Sequence, residues 1–143
     1  MSRILAIDYG KKRCGIAVTD PLAIIANGLT TVATHDLFDY ITKYVGTEDV
    51  STIVVGYPRK VTGEESETMT YVRPFVNRLR KSLSNIKIEL CDERFTTIIA
   101  QRAMIDAGLK KSDRNNKNGT IDMVSATIIL QTYMESVNYA VKQ

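Results

Sequence analysis

The sequence contains few of the residues on which many catalytic sites depend. Its 143 residues include one histidine, His35, and two cysteines, Cys14 and Cys91. A zinc site or a Ser/His/Asp triad would have to be built on that histidine. Because it stands beside Thr34 at a predicted helix start, we expect it at the surface. The cysteines lie in apolar segments far from any Cys-x-x-Cys spacing, so we expect two buried thiols.

Long apolar runs are also missing. No run approaches the roughly 20 residues that cross a membrane, and the chain starts with a strand-like segment rather than the apolar core of a signal peptide. We therefore expect a cytoplasmic protein with no membrane partner. There is no Gly-x-x-x-x-Gly-Lys-Ser/Thr loop, which argues against a P-loop nucleotide site. The content of 44% apolar and 24% charged residues predicts one folded domain over residues 1–143.

The hydrophobic pattern predicts an α/β protein. Short apolar or alternating runs predict strands over 4–7, 14–18, 24–34, 51–56 and 86–90. Helical spacing predicts helices after an N-cap at Thr34, from Met69, from Thr96 or Thr97 to Gly108, and from Thr120 to near Tyr139, with a polar loop over 109–119. This order indicates a mixed five-stranded sheet, a three-strand antiparallel meander plus two parallel strands, with helices on both faces.

Acidic residues follow the predicted parallel strands. Asp8 ends the first strand and Asp92-Glu93 end the last, so they are expected to meet at one edge of the sheet. Asp122 begins the last helix, on a stripe with apolar residues. Carboxylates that converge repel one another, and a divalent cation such as Mg²⁺ or Mn²⁺ is the usual remedy. Two such ions would hold the attacking water and the leaving oxygen of a phosphodiester.

Each acid also has a purely structural explanation. Asp8 is suited to a turn before Tyr9-Gly10, and the other acids are suited to helix N-termini. The segment Asp8-x-Gly10 followed by Gly15 is also similar to the phosphate-binding hairpin of actin-like and sugar-kinase ATPases. Those enzymes hold ATP between two large domains, whereas this chain has the length of one.

Four blocks of sequence, in order, resemble the YqgF/RuvX family of Holliday-junction-resolvase-like proteins and nucleases for small-subunit ribosomal RNA precursors. The blocks are Asp8-x-Gly10-x-x-Arg13-x-Gly15, Val54-Val55-Gly56-x-Pro58, Asp92-Glu93-Arg94-x-Thr96-Thr97, and Asp122 followed by Ala126 and Ile129-Leu130. The resemblance covers nearly the whole chain. It implies a ribonuclease-H-like fold in which Asp8, Glu93 and Asp122 are catalytic and bind the metal. The chain departs from the family pattern at Arg59, Asn118 and Ser125.

The small net charge of +3 conceals cationic segments that flank the predicted acidic cluster. The residues expected to bind nucleic acid are Lys11, Lys12, Arg13, Arg59, Lys60, Arg94, Thr96, Thr97, Lys110, Lys111, Arg114 and Lys117. Arg13 and Arg94 would bind phosphate through their guanidinium groups or would instead neutralise Asp8 or Glu93. Tyr57 either stacks on a base or packs in the protein.

Together these features predict a metal-dependent nuclease that acts on structured nucleic acid. The resemblance favours RNA, in particular pre-16S ribosomal RNA or a ribosomal particle. The alternatives are a Holliday-junction-resolvase-like DNA endonuclease that cuts branched DNA, and a non-catalytic RNA- or ribosome-binding factor. We expect a monomer or a weak dimer, and a resolvase of symmetric junctions would be expected to dimerise.

Overall fold

The computed structural model describes residues 2–57, 69–92 and 120–142. Its strands are β1 (Arg3–Asp8), β2 (Arg13–Thr19), β3 (Ala26–Ala33), β4 (Val50–Tyr57) and β5 (Lys87–Asp92). Its helices are α1 (Leu37–Thr47), α2 (Met69–Ser82) and α3 (Thr120–Lys142), and a 3-10 turn over Thr34–Asp36 precedes α1. The helix predicted to end at Gly108 and the polar loop over 109–119 lie outside the described residues.

The five strands form one mixed sheet in the order β3-β2-β1-β4-β5. Strands β1, β2 and β3 pair antiparallel, whereas β4 is parallel to both β1 and β5. Asp8 pairs with Gly56, and Gly56 pairs with Cys91. The carboxyl ends of the three parallel strands therefore lie in one row, and the predicted mixed sheet is confirmed.

The alternation of side chains along the strands gives the sheet two apolar faces. One face packs on α1 and α2 through a cluster that includes Leu5, Ile7, Ile16, Ile53 and Val55. The other face packs on α3 through Ala6, Ala17, Val54, Ala126, Ile129 and Leu130. Small side chains on β1 and β2 leave room for the backbone of α3 to lie close to the sheet. Helices thus cover both faces, as predicted.

The start of β3 differs from the prediction. The strand begins at Ala26 rather than at Ile24. The carboxylate of Asp20 accepts backbone hydrogen bonds from Leu22, Ile24 and Ile25 at 3.2, 2.8 and 2.7 Å. These bonds lower the pKa of Asp20, and they organise a loop where the apolar run had predicted a strand.

The predicted N-cap of α1 is wrong. The helix begins at Leu37, after the 3-10 turn, and its N-cap residue Asp36 makes no capping hydrogen bond through its side chain. The Thr34 hydroxyl instead donates to the carbonyl oxygen of Gly10 at 2.7 Å. This contact spans 24 residues, so no local pattern could show it.

Two further expectations, those for the histidine and for the cysteines, can be compared with the structure. His35 is exposed, as predicted, with 82% of its side chain accessible. Cys14 is buried, but Cys91 is only partly buried, so the prediction of two buried thiols is half wrong. Pro74 is accommodated inside α2. None of the described helices is long and apolar enough to span a membrane.

Candidate metal centre and nucleic-acid interface

Asp8 and Asp122 come together at the carboxyl end of β1. Asp8 alternates with Ala6, so it shares the face of the sheet on which α3 packs. Its partner on β2 is Gly15. A β-carbon placed on Gly15 would lie 2.8 Å from the Asp122 β-carbon and closer still to the Asp122 carbonyl group. Gly15 therefore contacts both acids: it pairs with Asp8 across the sheet and lies against Asp122 of α3.

The gap between β2 and α3 at Gly15 is too narrow for any side chain. A β-carbon contact under 3.0 Å is essentially never seen in proteins, so any other residue would push α3 away from the sheet. The close approach of strand and helix places the first turn of α3 beside the last residue of β1. Gly15 thereby sets the distance between the two acids.

Arg13 forms an ion pair with Asp122. Its Nε lies 3.2 Å from Asp122 Oδ2, and the side chains of Arg13 and Asp122 are 52% and 19% exposed. The sequence alone leaves open whether Arg13 binds phosphate or neutralises Asp8; the structure pairs it with Asp122, the other acid of the cluster. Because the guanidinium is half exposed, the pair contributes little to stability and leaves the group within reach of a ligand.

The negative charges of both acids also reach Cys14. Burial raises the pKa of the Cys14 thiol, and the charges of Asp8 and Asp122 raise it further, against hydrogen bonds with Thr34 and Gly10 that lower it. One buried thiol thus lies within electrostatic range of both carboxylates.

The hairpin between β1 and β2 presents three cationic residues next to this site. Lys11, Lys12 and Arg13 are all exposed. A β-carbon on Gly10 would overlap the carbonyl oxygen of Arg13, so the tight turn requires glycine there. The Gly10 carbonyl oxygen accepts the hydrogen bond from Thr34, which ties the turn to the segment before α1. The hairpin therefore holds its positive charges at a defined place.

Other predicted site residues lie outside the described part of the chain. Glu93 follows Asp92, the last residue of β5, whose partner on β4 is Tyr57. The same is true of most predicted nucleic-acid contacts: Arg59, Lys60, Arg94, Thr96, Thr97, Lys110, Lys111, Arg114 and Lys117. The structure thus brings together Asp8, Asp122 and the cationic hairpin.

The donor set suits a hard divalent cation. Asp8 and Asp122 offer carboxylate oxygens, the ligands that Mg²⁺ and Mn²⁺ prefer. Of the three predicted carboxylates, only Asp8 and Asp122 lie within residues 2–57, 69–92 and 120–142, and these residues contain no group of three potential metal ligands. The ion pair with Arg13 shows that Asp122 already attracts a positive charge in this position.

Tyr133 fixes α3 against β5, and sequence reasoning missed it. Its hydroxyl donates a hydrogen bond to the Glu89 carboxylate. Burial and this contact raise the pKa of Tyr133 to about 12. Hydrogen bonds from Lys87 and then from Tyr133 lower the pKa of Glu89. The alternation of Glu89 with apolar residues was visible in the sequence, but its partner on a distant helix was not.

The sequence matches a known protein family and several of its named members. A sequence model of the RuvX family, described as "Holliday junction resolvase", matches residues 2–136. The chain belongs to the RuvX family. A relative from Phocaeicola vulgatus, named "Putative pre-16S rRNA nuclease", is 60% identical over 139 residues, which cover 97% of this chain and 99% of the relative. A protein of the same name from Bacteroides fragilis is 56% identical over 136 residues, covering 95% and 98%.

The fold of this RuvX chain is similar to that of RuvC from T. thermophilus, solved in complex with a Holliday junction substrate. The TM-score is 0.55 at 11% sequence identity, and the match covers 95% of this chain and 96% of that one. At this identity the likeness shows the fold alone. It confirms the predicted ribonuclease-H-like architecture.

Proposed function

We propose that this chain is a metal-dependent nuclease that hydrolyses phosphodiester bonds of structured nucleic acid, and that its substrate is the 5′ end of pre-16S ribosomal RNA. The observation that carries the proposal is the convergence of Asp8 and Asp122 beside a cationic hairpin, at the carboxyl ends of the parallel strands. The names of the RuvX relatives supply the choice of substrate.

Asp8, Glu93 and Asp122 are proposed to hold the Mg²⁺ or Mn²⁺. A bound divalent cation supplies an activated water and stabilises the leaving oxygen. The protein's own part is to fix the carboxylates in one place, which Gly15 does for the first and third of them. His35 is exposed and has no part in this proposal.

The cationic residues bind the substrate's phosphates. Lys11, Lys12 and Arg13 follow Asp8 in the chain, so a phosphate held by them lies near the acids. Arg13 exchanges its contact with Asp122 for one with the substrate, since its guanidinium is half exposed. The basic residues predicted beyond the described ranges would bind further phosphates of the substrate. The protein would act in the cytoplasm as a monomer or weak dimer.

A second candidate is a nuclease for branched DNA. The family description, "Holliday junction resolvase", favours it. The geometry at Asp8 and Asp122 serves a phosphodiester of either nucleic acid. Only the substrate's shape and sugar would separate the two functions.

The test compares two substrates and three proteins. A labelled RNA fragment across the 5′ end of 16S ribosomal RNA and a four-way DNA junction are incubated with Mg²⁺, Mn²⁺ or EDTA. The proteins are wild type, Asp8→Asn and a control, Asp39→Asn, whose residue is exposed on α1. We expect wild type and the control to cut the RNA at one position with metal, and Asp8→Asn not to cut.

Three other outcomes would contradict the proposed function, each in a different way. Preferential cutting of the junction would assign the chain to branched DNA. Equal cutting by wild type and Asp8→Asn would point to a contaminant and overturn the nuclease proposal. Binding of the RNA fragment that is sensitive to salt, survives EDTA and Asp8→Asn, and leads to no cutting would identify a non-catalytic RNA-binding factor.

A further inference from the structure

An aromatic group on α2 lies against the segment that follows Asp8. Tyr71 and Phe75 are one helical turn apart and share a face of α2. Tyr9 packs on Phe75, with ring centroids 5.4 Å apart and planes at 42°. The Lys11 Nζ lies 5.8 Å from the centroid of the Tyr71 ring. The contacts bring Tyr71 to the end of the sheet that carries the candidate metal centre.

Tyr71 differs from its neighbours in its exposure. It is 52% exposed, whereas Met69 and Val72 on the same turn are buried. The core therefore does not need this ring. The tyrosine considered from the sequence for base stacking, Tyr57, packs against the core beneath α1 and α2. The spacing of Tyr71 and Phe75, one helical turn apart, is the signal in the sequence that could have indicated this ring.

An exposed ring and an ammonium group suit the two parts of a nucleotide. Proteins that bind single-stranded nucleic acid combine aromatic rings, on which bases stack, with cations that hold the backbone. The Lys11 ammonium lies over the Tyr71 ring at 5.8 Å, near the outer limit of a cation–π contact, so the contact is weak and Lys11 can move to a phosphate when a base stacks on the ring.

We propose that Tyr71 and Lys11 form a subsite for one unpaired nucleotide, whose base stacks on Tyr71 and whose phosphate pairs with Lys11. The proposal rests on the proposed function and deepens it. It assigns the substrate to nucleic acids that have an unpaired nucleotide next to the scissile phosphate. A continuous duplex keeps its bases stacked in the helix and cannot fill the subsite.

The absence of tryptophan from the sequence permits a direct test. Tyr71→Trp introduces a single indole whose fluorescence is quenched when a base stacks on it. The control is Tyr44→Trp on α1, near Arg3 at the start of β1 and thus at the opposite end of the sheet. Both proteins are titrated with a single-stranded ten-nucleotide RNA and with its blunt duplex, in EDTA so that no cutting occurs.

We expect the single strand to quench Tyr71→Trp and to leave Tyr44→Trp unchanged, and the duplex to quench neither. Equal quenching of both proteins, no quenching at saturating RNA, or the same quenching by the duplex would overturn the subsite. Because the readout is binding without cleavage, it is independent of whether the chain proves to be a nuclease.

Affinity measurements provide a second line of evidence. By fluorescence anisotropy, Tyr71→Ala is expected to bind the single strand about tenfold more weakly, and Tyr71→Phe to bind it like wild type. An abasic nucleotide at the stacked position should produce the same loss in wild type and no further loss in Tyr71→Ala. Unchanged affinity in Tyr71→Ala would contradict the proposal. If Tyr71→Ala fails to fold, the tryptophan reporter still decides.

Discussion

The backbone of Asp122 lies on Gly15, closer than any β-carbon at that position would permit. Gly15 in turn pairs with Asp8 across β1 and β2. Two acids that are far apart in the chain are therefore neighbours because one residue between them has no side chain.

Gly15→Ala should destabilise the protein and displace the first turn of α3. The added methyl group overlaps the Asp122 carbonyl, and overpacking of this kind typically costs about 1–3 kcal/mol. The matched control is Gly46→Ala on α1, where a β-carbon meets nothing within 4 Å. The control should be neutral or stabilising by about 0.5–1 kcal/mol. Urea unfolding measures both, and equal stability of the two variants would contradict the Gly15 contact.

Arg13→Gln should separate metal binding from substrate binding. Without the guanidinium at 3.2 Å from Asp122 Oδ2, the acid is more available to a cation, so the affinity for Mn²⁺ should rise several-fold. Affinity for nucleic acid should fall, and the salt dependence of binding should decrease by about one counterion. Mn²⁺ titration by electron paramagnetic resonance and anisotropy at several salt concentrations measure the two effects.

The control for Arg13→Gln is Lys43→Gln, which makes the same change of charge at an exposed position on α1. It should alter neither the Mn²⁺ affinity nor the salt dependence. If both variants change the salt dependence equally, Arg13 acts only through net charge.

Tyr133→Phe should loosen α3 from β5. The hydrogen bond from Tyr133 to the Glu89 carboxylate is lost, which should lower the free energy of unfolding by about 1–2 kcal/mol at pH 7. In wild type, one tyrosine should ionise at a pKa of about 12, and this late step should be absent in the variant. Ultraviolet titration of the tyrosines follows it. Tyr40→Phe is the control, because burial and the neighbouring Tyr44 raise the pKa of Tyr40, whereas the Glu89 carboxylate contributes to that of Tyr133.

The pH dependence of this contact has a definite sign. The pKa of Tyr133 is raised in the folded protein, so its contribution to stability is complete below about pH 10 and is lost as the pH rises towards 12. The pKa of Glu89 is lowered, so its contribution is complete above about pH 4.3 and is lost as the pH falls through the folded value. A stability profile in which Tyr133→Phe matched wild type at pH 7 and differed only above pH 10 would contradict the account.

Much of the sheet could be predicted because its signals are local. The apolar runs that form β1, β2 and β4 are continuous, and the order of the elements restricts their pairing to few topologies. Where the prediction missed, hydrogen bonds that the hydrophobic pattern does not show decide the structure. Thr34 donates to Gly10 instead of capping α1, and the backbone amides held by Asp20 delay the start of β3.

In the candidate site, too, some positions could be predicted from local sequence signals and others could not. Strand ends and helix starts placed Asp8 and Asp122 at one edge of the sheet, and the structure places them there. The partner of Arg13 could not be predicted, because the pair with Asp122 depends on how α3 packs on the sheet. The roles of Glu93 and of the other basic residues stay predictions.

The most direct test of the central claim is the single-turnover rate of cleavage of the pre-16S RNA fragment with Mg²⁺ in excess, for Asp8→Asn, Asp122→Asn and the double variant, with Asp39→Asn as control. If the two carboxylates hold one metal centre, each single variant should be slower than wild type by at least about 100-fold, and the double variant little slower than either. The control should match wild type. Cleavage by all four proteins at the wild-type rate would contradict the account.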